Sequence, residues 1–268
     1  MAIYEHKKIK VDGFCISPSS IGKFFEYPST WFTDYLTDDE QSFIGNSSTV
    51  LGTTCHYIYE QYGKNREYFV ANKEKIYEEL ETELKTYINS NLQLATLVDV
   101  PHIISTYPQI VKIVVNDYIR LSPPDYVELS LLAQIPNYNG YYLGGTVDNI
   151  TRDIIVDYKT VKTKPNTEVI PFHYKIQLLA YDYLLKERGM SMNYMRLVYG
   201  VAPTKTIGAR MFMVEERITE EDRQMFQETL WLMCESIKRC ETDPTLIPLI
   251  FKSKKLEGRN INVGMSEM

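Results

Sequence analysis

With 268 residues, 44% of them hydrophobic and 24% charged, the chain is long enough to bury a substantial core and is not a disordered or low-complexity segment. The net charge of −6 excludes a general nucleic-acid coat protein, so any basic surface has to be local. No apolar run approaches the ~20 residues needed to span a bilayer, and no membrane partner is expected.

In chain order, Ser17-Pro18-Ser19-Ser20 carries the caps of a helix that continues through aromatic and apolar residues to Leu36. Residues 37–48 are polar and end in Gly45-Asn46-Ser47-Ser48, a loop signal. Helices are expected at about 49–62, 73–94 (with Glu and Lys on the solvent face) and 101–119. The period then changes. Residues 126–136 alternate as a strand, Asn137-Tyr138-Asn139-Gly140 reads as a turn, and 141–150 and 154–160 read as two more strands. A helix at about 172–188 ends at Gly189, strands follow near 194–201 and 207–214, and a last helix near 218–240. This order predicts one α/β domain over 1–268, a mixed central sheet flanked by helices. Helical segments are added at the amino terminus and at about 60–125, the core lies at 126–215, and a helix closes at 218–240.

The chemistry concentrates in Gly144-Gly145-Thr146-Val147-Asp148 and Ile154-Ile155-Val156-Asp157-Tyr158-Lys159-Thr160. Side chains two apart in a strand share a face, which places Asp157 and Lys159 together, roughly 7 Å apart along the strand. A two-residue turn at Arg152-Asp153 would set Asp148 directly opposite Asp157, with Cβ atoms about 4.5–5.5 Å apart. Two opposed carboxylates repel, and a divalent cation such as magnesium or manganese relieves this by taking their oxygens as ligands. A lysine beside such an ion can stabilise charge developing on a phosphate. An isolated D-x-K is more often an ordinary charged hairpin. Here it follows an apolar run, where unpaired charges are costly, and that context favours a functional role.

The stretch G-G-T-V-D-x8-D-Y-K-T resembles the core of RecB-like nucleases of the PD-(D/E)xK superfamily. Three further segments resemble that family in order and spacing: the Ser17-Pro18-Ser19-Ser20-Ile21 helix start, Gly52-Thr53-Thr54-Cys55-His56-Tyr57-Ile58-Tyr59-Glu60 as its G-x-x-x-H-x-x-x-E helix, and Gln177-Leu178-Leu179-Ala180-Tyr181 as its Q-x-x-x-Y helix. The resemblance spans about residues 17–200. It implies a restriction-endonuclease-like core and a DNA nuclease, with exonuclease activity expected, that uses one or two magnesium or manganese ions. His56, Asp148, Asp157 and the Tyr158 carbonyl would hold metal. Lys159 would be the catalytic lysine, and Gln177 would act with it. Gln177 and Tyr181 would line the site and contact the DNA backbone or brace Lys159, and Glu60 and Glu128 could support it. Without the motif, His56 would read as a packing histidine. His6, which lies outside the residues described below, His102 and His173 have no motif support, although His173 is near Gln177; Lys162, Lys164 and Lys175 flank the site, where they either contact phosphates or are simply solvated.

Some relatives carry an iron–sulfur cluster. Here Tyr27-Pro28 stands where they have Cys-Pro, and Cys15, Cys55, Cys234 and Cys240 form no C-x-x-C pair, so no cluster is expected and the cysteines read as free thiols. The charged start MAIYEHKKIK has no apolar signal core, and a cytoplasmic setting, in a bacterial cell or a phage-infected host, is expected. No G-x-x-x-x-G-K-[ST] loop occurs, so any helicase, recombinase or single-strand-binding activity would belong to a partner. Two other readings stay open: a catalytically silent nucleic-acid-binding or interaction module on a nuclease fold, and an RNA-directed nuclease.

Overall fold

The computed structural model describes residues 3–4, 11–37 and 45–261. Most of the basic stretch near the amino terminus and of the polar loop before Gly45 lies outside them. Six strands form one mixed sheet: β1 (Phe14–Ile16), β2 (Tyr126–Gln134), β3 (Tyr141–Thr151), β4 (Ile154–Val161), β5 (Tyr194–Val201) and β6 (Arg210–Arg217). The helices are α1 (Pro18–Glu26), α2 (Pro28–Leu36), α3 (Ser47–Lys64), α4 (Arg66–Ala71), α5 (Lys73–Ser90), α6 (Leu92–Leu97), α7 (Val100–Val114), α8 (Phe172–Glu187), α9 (Glu220–Thr242) and α10 (Ile247–Ile250).

Alternation along the strands builds two cores. Ile155, Leu197, Tyr199 and Val214 are buried on one face with residues of α1, α2, α8 and α9. Val156, Tyr158 and Val198, the intervening positions, are buried on the other with residues of α3, α5 and α7. β4 is therefore covered on both faces, which is why its sequence is apolar apart from the residues that do chemistry.

Several boundaries differ from the sequence expectation, each for a local reason. The helix expected to run to Leu36 is two helices, because Pro28 lacks an N–H and starts α2 at its first position. Ser17 stands at the N-cap position of α1, but its side chain makes no capping bond. α3 begins at Ser47, not Thr49, because the Asn46 side chain accepts from the Ser48 and Thr49 amides. The charged helix stops at Ser90, where Asn91 caps α6 in the same way. β1 is too short to show a period and pairs in parallel with β3. β6 starts at Arg210 because Thr204 and Ile207 close a turn before it, with the Thr204 amide donating to the Ile207 carbonyl at 2.8 Å. β3 to β5, α8 and α9 lie within two residues of where the pattern placed them.

Pairing along β3 creates the opening for the site. β2 runs along one edge of β3. On the other edge, β1 covers Tyr141 to Leu143 and β4 covers Asn149 to Thr151. Gly144 to Asp148 thus have a strand on one side only, and the gap is where β4 leaves β3.

Candidate active site

The Arg152-Asp153 turn and its register are as the sequence implied, with Asn149 opposite Val156. Pairing stops there, so Asp148 and Asp157 sit one step past the last paired residues, at the mouth of the gap. The Tyr158 amide donates to Asp148 Oδ2 at 2.9 Å, so a side chain takes a main-chain donor that the diverging strands leave over. The Tyr158 carbonyl accepts from His56 Nε2 at 2.8 Å, and His56 Nδ1 lies 3.4 Å from Asp148 Oδ2. Asn149 Nδ2 donates to the Tyr158 hydroxyl at 2.7 Å. Tyr158 is fixed at its amide, its carbonyl and its ring.

Asp157 is 2% exposed. Gln177 Nε2 donates to its Oδ1 at 3.0 Å, while Lys159 Nζ donates to Gln177 Oε1 at 3.3 Å. The charges dictate this amide orientation, because only the oxygen can accept from an ammonium and only the nitrogen can donate to a carboxylate. Lys159 Nζ is also 2.7 Å from Asp157 Oδ2, but off hydrogen-bonding angle: that oxygen is buried and accepts no hydrogen bond among the described residues. The contact is therefore an ion pair, with lone-pair capacity remaining. The Tyr181 hydroxyl is 3.4 Å from Gln177 Nε2, one turn along α8.

These contacts set the protonation pattern. Burial alone would lower the His56 pKa, but Asp148 and then Asp157 push it up to about 9. Burial works against ionised Asp148, yet His56, Lys159 and the Tyr158 amide hold it below the usual carboxylate range. Asp157 goes the other way, raised by burial and by Asp148 despite Lys159. Burial alone would lower the Lys159 pKa, but Asp157 and then Asp148 raise it. The two carboxylates thus sit in unlike surroundings, Asp148 beside His56 and Asp157 beside Lys159, and their pKa values are pushed apart.

A cavity of about 680 Å³ opens onto this group, lined by His56, Asp148, Asp157 and Lys159 with Glu60 and Glu128 on its wall. Gly52 also lines it, and a Cβ there would meet no atom within 4 Å. Gly145 is the opposite case: a Cβ would lie 2.7 Å from Pro18 Cδ, so the close approach of α1 requires glycine there. Among the described residues no three His, Cys, Asp or Glu side chains are gathered into a ready cation cage. The donor set here includes a main-chain carbonyl, and two carboxylates, that carbonyl, an imidazole and the free Asp157 Oδ2 lone pairs suit a hard divalent ion.

The family model of the PD-(D/E)XK nuclease superfamily matches residues 15–246, and the strands and helices bearing Asp148, Asp157 and Lys159 fall inside that match. The chain belongs to this superfamily. Its mixed six-stranded sheet flanked by helices is the restriction-endonuclease-like arrangement. No curated protein matches the chain. Among solved structures, LHK-Exo in complex with dAMP aligns at 12% identity, over 74% of this chain and 97% of its own, with a TM-score of 0.29. SSO0001 aligns at 16% identity, over 80% and 84%, with a TM-score of 0.25. Likenesses this distant carry no functional argument.

Within the superfamily frame, the remaining sequence candidates take definite places. Glu60 lines the cavity one turn after His56 and pairs with Lys64. Glu128 lies level with Asp148 across β2 and β3, with φ of 51°, in the left-handed region that a non-glycine residue enters at a cost of about 1–3 kcal/mol. Tyr181 is buried against Gln177 and is not on the cavity wall. Lys162 is exposed, just past the end of β4. His173 faces Glu26 at 3.3 Å, away from the site, and Lys175 is taken up by Glu216 and Asp222. The cysteines are buried, on β1, α3 and α9. Sequence reasoning missed Asn149, which anchors Tyr158, and Tyr174, whose ring lies 4.7 Å from Lys159 Nζ. Tyr174 had a usable signal, its position one turn before Gln177; Asn149 had none.

Proposed function

We propose that this chain is a RecB-like deoxyribonuclease, with exonuclease activity, dependent on magnesium or manganese. The observation that carries the reading is the meeting of Asp148, Asp157, Lys159, His56 and the Tyr158 carbonyl at one end of a cavity where β3 and β4 separate. Asp148, Asp157, His56 and the Tyr158 carbonyl would hold the ion. Such an ion would polarise the scissile phosphate and lower the pKa of the attacking water. Lys159 supplies fixed positive charge where the phosphate gains negative charge. Gln177 holds Lys159 and Asp157 in register, Tyr181 braces Gln177, and Glu60 and Glu128 shape the wall. Lys162 is free to meet a phosphate of the bound strand. The whole of 1–268 acts as one nuclease domain. Recombination, repair or DNA degradation in a bacterial or phage-infected cytoplasm is the setting that the RecB-like motifs favour, with a helicase, recombinase or single-strand-binding protein as partner.

End-labelled single- and double-stranded DNA, linear and circular, incubated with magnesium, manganese or EDTA beside Lys159→Ala, tests this reading. Metal-dependent cutting of linear DNA that is lost in the variant is expected. Folded protein that binds DNA but cuts nothing with either ion would instead support a silent binding module, and cutting confined to RNA would reassign the substrate.

A further inference from the structure

The sheet face that carries Asp157 and Lys159 continues beyond β4. Register sets Lys159, Tyr199 and Phe212 in one row across β4, β5 and β6, and Val161, Val201 and Arg210 in the next. Residues level with one another share a face, so Phe212 and Arg210 lie on the Lys159 face two strands away, on the order of 10 Å at the usual strand spacing. Lys164, from the segment after β4, comes over the same ring. Its Nζ is 5.4 Å from the Phe212 centroid, and the Arg210 guanidinium is 5.6 Å from it. Two cations therefore share one aromatic ring, an arrangement whose mutual repulsion an anion would relieve.

The segments that carry these cations supply little opposing charge. Residues 162–170 and 202–210 hold Lys162, Lys164, Lys205 and Arg210 against Glu168 alone. Among the described residues none of these four cations forms an ion pair, and Arg210 Nε is buried without an acceptor. Neighbouring cations are neutralised: Lys175 by Glu216 and Asp222, Arg196 by Glu215. In a chain of net charge −6, an uncompensated cationic group beside the site is the local basic surface that the overall balance demands of a nucleic-acid enzyme.

We infer that Lys164 and Arg210, held on the Phe212 ring, form a second phosphodiester-binding site that grips the nucleic-acid strand beyond the scissile bond. The inference rests on the nuclease reading above. The separation from Lys159 corresponds to about three nucleotides at the B-form rise. Lys164 and Arg210 act as point and forked phosphate donors, and Phe212 is a positioning residue.

Anisotropy of labelled oligonucleotides in EDTA, titrated over a range of salt, tests it. One probe reaches more than about three nucleotides past the active site and one stops short. For the long probe, Lys164→Gln with Arg210→Gln should lower the slope of log affinity against log salt by about 1.5–2. The short probe should show no such loss, and Lys85→Gln, exposed on α5, should match wild type. Phe212→Leu should lower the slope by less than the double variant. If the double variant does not fold, the exposed Lys164→Glu carries the test, with a slope loss of about 1 expected. Wild-type binding with an unchanged slope in the variants overturns the second site and leaves the nuclease reading standing. A wild-type protein that binds neither probe, and cuts no DNA in the metal assay, overturns both.

Discussion

Gln177→Leu probes the centre of the site with little change of volume. Gln177 is 8% exposed, and it donates to Asp157 and accepts from Lys159. Hydrogen bonds to charged groups contribute about 1.5–3 kcal/mol each, and leucine recovers roughly 1 kcal/mol through burial of its apolar surface. The net cost is about 2–5 kcal/mol, a fall in Tm of roughly 4–20 °C for a chain of this size. Most of it comes from Asp157, which has only the off-angle Lys159 contact left. The decisive assay is therefore a double-mutant cycle by chemical denaturation. In an Asp157→Asn background the partner is neutral, and Gln177→Leu should cost about 1–2 kcal/mol less. An equal cost in both backgrounds would refute the argument that Gln177 is there to satisfy the Asp157 charge.

The two site glycines should respond in opposite directions. Gly145→Ala drives a methyl into Pro18 and should cost about 1–3 kcal/mol, whereas Gly52→Ala, with open space at its Cβ, should gain up to about 1 kcal/mol of helix stability; thermal melts of both variants check the signs. The capping box of α9 gives a pH dependence. Burial raises the Asp222 pKa, but Lys175 and the Thr219 amide and hydroxyl lower it further, so the net shift is downward. A carboxylate depressed in the folded state adds stability above its unfolded value near pH 4, and that contribution disappears as pH falls through the lower folded value. Asp222→Asn should therefore cost about 1 kcal/mol at neutral pH, and its difference from wild type should shrink as pH falls below the unfolded value near pH 4. A difference that stays constant over that fall would exclude the ionised cap as its source.

Much of the core was legible because it rests on local rules. Alternation located β3 to β5, and the Arg152-Asp153 turn set the register that brings Asp148 to Asp157. The i, i+4 spacing of His56 and Glu60, and of Gln177 and Tyr181, put each pair on one helix face. Proline and asparagine shifted the boundaries of α1, α3 and α5, since a single cap or a missing N–H outweighs a periodic pattern. β1 was invisible because three residues carry no period, and β6 began late because a side-chain-closed turn precedes it.

By itself, the sequence determined the fold class and the strand that carries Asp157 and Lys159. Only the tertiary structure decided that β4 leaves β3 at Asn149, so that Asp148 captures the Tyr158 amide instead of facing Asp157 across a ladder. It also decided that Gln177 bridges Asp157 and Lys159, that Asn149 anchors Tyr158, and that Lys175 is neutralised while Lys164 and Arg210 are not. The division has one physical cause. Periodicity and capping act within a few residues of chain, whereas the partner of a charge is set by whichever distant segment packs against it.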